Sequence, residues 1–211
     1  MHAVIRIYSG TGAQEFVGTP QEDTMRSCIS LPLLLISCAA FAAPALAQQH
    51  KMAPMSDAKL IKSAESAAPG SISKGATIIA MGQDGKMREV RKGTNGWTCM
   101  PDNPTTPGPD PMCMDKNALE WATAWMEHKA PPTAKVGFMY MMAGGTDASN
   151  TDPYAQKPEA SNNWVKTGPH VMVVGAKGMM EGYPRDAKPD TTKPYVMWPD
   201  TPYEHLMLPV K

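Results

Sequence analysis

From Ser56 onward the chain alternates short apolar runs with polar segments marked by Pro, Gly and Asn, and the runs follow two different periods. A helical period opens it. Ser56 or Asp57 can cap a helix through Ala68, with Leu60, Ile61 and Ala64 on one face and Pro69-Gly70 ending it. Ala76 to Met81 is a β-branched apolar run and Lys86 to Arg91 alternates, with Gly82-Gln83-Asp84-Gly85 between them as a hairpin turn. Asn95-Gly96 signals another turn leading into Trp97-Thr98-Cys99. The segment from Met100 to Met112 carries five prolines and can be neither helix nor central strand.

The helical period returns after Asp115, a predicted N-cap, over Lys116 to Lys129, with Pro131-Pro132 as the stop. Leu119, Ala122, Trp125 and Met126 form its predicted apolar stripe. Val136 to Met142 then reads as a buried strand ended by Gly144-Gly145. Thr146 to Asn163 is polar and irregular, long enough for a surface or functional loop. Trp164 to Gly175 holds the next strand, Tyr195 to Trp198 a short one, and Tyr203 to Val210 a strand or one helical turn. The expected fold is a single-domain α+β one: an antiparallel or mixed β-sheet with about two packed helices, long proline-rich loops and one disulfide.

The first 55 residues read as an address. Residues 1–24 lack an apolar period, and Met25 looks like the natural start. Met25-Arg26 supplies a positive charge, Ile29 to Phe41 is apolar and small, and Ala45-Leu46-Ala47 is a small-x-small cleavage site before Gln48. Residues 25–47 are therefore expected to be a secretory signal peptide cleaved after Ala47. Residues 48–55 form a flexible leader and 56–211 one exported, periplasmic or secreted globular domain. The apolar run is too short, and too interrupted by Pro32 and Pro44, to span a membrane. Leu35-Ile36-Ser37-Cys38 is the alternative, a lipoprotein box.

Charge narrows the partners. Twenty basic residues face twenty acidic ones, which argues against nucleic acid or an anionic membrane surface. Export leaves Cys99 and Cys113, flanking the proline-rich loop at neither a C-x-x-C nor a common zinc spacing, so a structural disulfide is the simplest reading. G-x-S-x-G, H-E-x-x-H, P-loop and G-x-G-x-x-G motifs are absent from the sequence, and no catalytic residue is assigned. Gly144-Gly145-Thr146-Asp147 has amides suited to an anion, but after a strand it reads as a turn.

Methionine is the outlier, with eighteen against three phenylalanines. After the signal, every histidine has a methionine two positions away: His50/Met52, Met126/His128, His170/Met172 and His205/Met207. On a strand, i and i+2 share a face, so His170 and Met172 present imidazole and thioether together, as do His205 and Met207 if extended. That soft pair selects Cu(I) over hard cations. The segment from Gly168 to Gly182, G-P-H-V-M-V-V-G-A-K-G-M-M-E-G, is similar to the ligand-bearing C-terminal strand of the periplasmic copper(I) chaperones. That resemblance implies Cu(I) held by a His, a following Met and an H-x-M pair, which map here to His128, Met139 and His170/Met172. The family carries its site on an all-β barrel, whereas His128 falls at the end of a predicted helix.

Three classes of function follow. The first expectation is a non-enzymatic binding or interaction module of the bacterial envelope, with a possible envelope protein partner. An alternative is a Cu(I)-binding protein using His170, Met172, His128, Met139, His205 and Met207. A further alternative is a small-ligand binder or enzyme with a pocket between Trp164 and Trp198, roofed by residues 146–163. Met as a flexible core filler, or as a surface oxidant sink, accounts for the same composition without a site.

Overall fold

The computed structural model describes residues 55–210. The expected extension, signal peptide, cleavage site, lipoprotein box and most of the leader, including His50 and Met52, lie outside those residues. Among the described residues no helix is long and apolar enough to cross a membrane.

Among the described residues ten strands form in chain order. They are β1 (Thr77–Met81), β2 (Met87–Arg91), β3 (Thr98–Met100), β4 (Met112–Met114), β5 (Gly137–Met141), β6 (Ala148–Ser149), β7 (Trp164–Val165), β8 (His170–Val174), β9 (Tyr195–Met197) and β10 (His205–Pro209). Eight of them make one sheet in the order β2-β1-β3-β4-β5-β8-β10-β9, while β6 and β7 pair as a separate ribbon. The sheet is mixed: β1 and β3 are parallel, and the other neighbours are antiparallel. The helices are α1 (Asp57–Glu65), the short α2 (Gly70–Ser73) and α3 (Lys116–Met126).

The two longer helices cover opposite faces. Ala64 of α1 packs with Ile78, Cys99 and Cys113 on one face. Ala118, Trp121 and Ala122 of α3 pack on the other face with Met114, Met139, Met172 and Met207. Asp115 caps α3 by accepting from the Ala118 amide at 2.7 Å, and its second oxygen accepts from the Phe138 amide at 3.0 Å, which ties the helix to β5. The approach is close: a Cβ on Gly137 would lie 2.7 Å from the Ala118 Cα. Cys99 and Cys113 are register partners on β3 and β4, with sulfurs 1.95 Å apart, a disulfide.

Several sequence expectations need adjustment. The first helix ends at Glu65 rather than Ala68, and Pro69-Gly70 opens α2 instead of only closing α1. The third helix ends at Met126 rather than Lys129, before Pro131 can act. His128 takes the left-handed conformation (φ 56°); its amide donates to the Trp125 carbonyl and that of Lys129 to the Ala124 carbonyl. That pair of bonds is a Schellman closure with histidine at the position usually held by glycine. Of the expected α3 stripe, Ala122 is buried and Leu119 and Trp125 pack partly buried against the same core, with Ala118 and Trp121 buried beside them, whereas Met126 is exposed. The predicted strand from Trp164 to Gly175 is two strands in two different sheets, because Gly168-Pro169 interrupts the ladder. The 146–163 segment is hydrogen-bonded structure rather than open loop: it contributes β6, and Ser149 and Asn150 are buried.

Candidate functional site

The sheet's register decides which candidate ligands meet. Met114 lies opposite Met139, Met139 opposite Met172, and Met172 opposite Met207, a row of four methionines on four adjacent strands. Opposite residues share a face with Cβ atoms about 5 Å apart. One step along the strands, Met141 lies opposite His170; on the other side of the row, His205 lies opposite Met197. The two H-x-M segments of β8 and β10 thus run antiparallel about the Met172–Met207 pair, with His170 and His205 flanking it at opposite ends. Alternation puts all of these side chains on the α3 face.

Both imidazoles are buried, and both have their proton fixed by the backbone. Nδ1 of His170 lies 2.7 Å from the Gly168 carbonyl, and Nδ1 of His205 lies 2.9 Å from the Tyr203 carbonyl. A carbonyl only accepts, so Nδ1 carries the hydrogen and Nε2 is left as a lone pair. Nε2 of His205 is buried with no hydrogen-bond partner in the protein. Leaving such an acceptor unmet costs about 1–3 kcal/mol. Burial holds His205 far below the usual histidine range, at about 4; the Tyr203 carbonyl partly offsets this and His170 adds to it. Burial likewise lowers His170, against the opposing pull of the Gly168 carbonyl.

The His205 ring is held by aromatic edges, 5.4 Å from Trp121 and 4.9 Å from Trp198 between centroids. The turn entering β10 is also braced. Glu204 is buried and accepts from the Arg185 guanidinium at 2.5 Å and the Asp200 amide at 3.2 Å. Trp198 takes a positive φ of 55°, an uncommon conformation for a bulky residue. Its amide donates to the Asn150 carbonyl at 3.0 Å and its indole to the Ser149 carbonyl at 2.8 Å, which hold it there.

Of the six residues singled out for a metal, the register gathers five: His170, Met172, Met139, His205 and Met207. His128 stands apart at the end of α3, where its ring stacks on Tyr154 at 4.0 Å. Met112, Met114, Met141 and Met197 share the face and were not singled out. The M-x-M patterns of Met112-Cys113-Met114 and Met139-Tyr140-Met141 were a readable signal for three of them. Among the described residues no group of three or more His, Cys, Asp or Glu side chains gathers as a metal site, so a metal set here has to include thioether sulfur.

The tryptophan pair is arranged differently from the expected pocket. Trp198 does lie under the 146–163 segment, but Trp121 and Trp125 pack against it at 6.3 and 5.4 Å. Trp164 sits on β7 opposite Ser149. Two adjoining cavities open elsewhere, where β8 begins and β10 ends. One, of about 290 Å³, is lined by His170, Tyr195, Met207 and Pro209 among others. The second, of about 560 Å³, reaches Gly144, Gly145 and Asp147. His170 and Met207 therefore border space that the rest of the methionine row does not.

Comparison with protein-family models, curated proteins and solved structures finds no match to this chain.

Proposed function

We propose that this is an exported binding protein for a soft monovalent metal ion, Cu(I), held on the α3 face of the sheet by the H-x-M pairs of β8 and β10. The observation that carries the reading is the register: two H-x-M segments side by side, Met172 opposite Met207 and Met139 opposite Met172. The donor chemistry fits. Each imidazole has Nδ1–H on a carbonyl, the outer partner that orients a metal-binding histidine and leaves Nε2 basic. Thioethers beside neutral imidazoles favour Cu(I). His170 and Met207 border the 290 Å³ cavity, which offers a route for entry. The residues hold and shield an ion; no group here is assigned to catalysis. The Cys99–Cys113 disulfide supports an oxidising compartment outside the cytoplasm and, with the signal-like segment, export.

The test is a Cu(I) competition titration of the chain from Gln48 against a chromophoric chelator, with His170→Ala in parallel. Stoichiometric binding well below micromolar, weakened about 100-fold or more in the variant, is expected. No competition, or equal weak binding by both proteins, overturns it.

A further inference from the structure

The methionine face does not stop at β4. On β3, Met100 lies opposite Met112, and both pack partly buried against the core on the α3 side. Carrying the parallel β1–β3 register one residue past Ile78–Cys99 sets Ile79 beside Met100, and Met81 lies two positions along on the same face. Met81 in turn is the register partner of Met87 on β2. Each of the eight strands of the sheet thus puts a methionine on one face. Exposure falls along the row: Met81 is 62 % exposed and Met87 42 %, Met100 and Met112 are half-buried, and Met114 is 1 % exposed.

The outer end of this row is a donor set in its own right. Register partners carry their side chains on one face with Cβ atoms about 5 Å apart, and here both thioethers reach solvent. Methionine is unbranched and flexible, so two sulfurs at that spacing can converge on one ion. Glu89, two residues from Met87 on β2, shares the face and is exposed. The two arginines of β2 turn to the α1 side instead, where Arg88 pairs with Asp57 and Arg91 with Glu65. No guanidinium of this strand therefore opposes a cation beside the thioethers.

We propose that Met81 and Met87 form a second, surface Cu(I) site, a two-thioether clasp at the outer end of the row, with Glu89 adding local negative charge. The proposal rests on the reading above for its choice of ion but uses none of the same ligands. Thioether sulfur selects Cu(I) over hard divalent cations. Two donors open to water hold the ion more weakly than a buried set that includes imidazole. The outer site therefore exchanges an ion that the inner one retains, and the intervening thioethers of Met100, Met112 and Met114 join the two.

The experiment is an anaerobic Cu(I) titration of the chain from Gln48 carrying ¹³C-methyl methionine, with Met87→Leu and His170→Ala in parallel. Leu conserves volume, so the first variant keeps the fold. The Met81 and Met87 methyl signals should shift together and saturably, in the wild type and in His170→Ala alike. In Met87→Leu the response of Met81 should weaken about tenfold or more, because one ion needs both sulfurs. Shifts at Met81 and Met87 with none at Met139, Met172 and Met207 would support this site and remove the buried one. Shifts at those three alone would overturn this site and keep the buried one. An undiminished Met81 response in Met87→Leu also overturns it, since a lone exposed thioether then accounts for the binding.

Discussion

The two faces of the sheet are built by the same strands from different chemistry. On β4, β5, β8, β9 and β10 the α3 face carries Met112, Met114, Met139, Met141, His170, Met172, Val174, Tyr195, Met197, His205 and Met207. The opposite face of those strands carries Cys113, Phe138, Tyr140, Val171, Val173, Val196, Leu206 and Leu208. Both faces bury apolar surface; the strand residues of the second do so with Val, Leu and a disulfide, and the one methionine packed there, Met180, comes from the segment after β8 rather than from a strand. Packing alone does not require sulfur, because a β-branched or Leu side chain suits a pleated, buried surface at least as well. Every methionine on these five strands nevertheless falls on the face that also holds both buried histidines. The segregation separates a structural face from a sulfur and imidazole face, and the copper reading rests on that separation.

The largest effect should come from the structural face. Replacing Cys99 and Cys113 by alanine opens a loop of fourteen-residue separation, which costs about 3 kcal/mol in the chain-entropy model, plus lost packing. Urea unfolding should report that loss while Cu(I) affinity stays unchanged. A joint loss of affinity in the folded protein would break the division between faces.

A similar or smaller effect comes from pH on the other face. His205 is held near 4 when folded, below its unfolded value of about 6.5. The unfolded chain therefore takes up the proton first as pH falls. Stability from neutral His205 is fully present above about pH 6.5 and is lost progressively toward pH 4, by about 3 kcal/mol. His170 works in the same direction. His205→Leu should flatten the unfolding free energy across that window; an unchanged pH slope would contradict the buried neutral imidazole.

The smallest stability change is the most discriminating. Met172→Leu and Met207→Leu conserve volume and should each cost less than about 1.5 kcal/mol, as should Leu206→Met on the opposite face. Calorimetry should find all three near the wild type. Only the first two should weaken Cu(I) binding.

Much of this site was legible because side-chain parity is local. The H-x-M spacing announces that His170 and Met172 share a face before any partner strand is known, and likewise His205 and Met207. Asp115 as a cap and the hairpin at Gly82–Gly85 are equally short-range, and the structure has both. Register is not local. That β8 lies between β5 and β10, bringing Met139 and Met207 to either side of Met172, depends on pairings far apart in sequence. The parallel β1–β3 pair and the β6–β7 ribbon escaped the sequence for the same reason. His128 was readable as a Met-associated imidazole. Its capping role follows from a left-handed backbone that glycine usually marks.

Copper-edge X-ray absorption on stoichiometric Cu(I) protein, beside the Met172→Leu/Met207→Leu double variant, tests the sulfur face most directly. The account predicts a mixed nitrogen and sulfur shell in the wild type, with the sulfur contribution lost or sharply reduced in the variant and nitrogen retained. A shell without sulfur, or one that the double variant leaves unchanged, would show that the methionine row fills space and does not hold the metal.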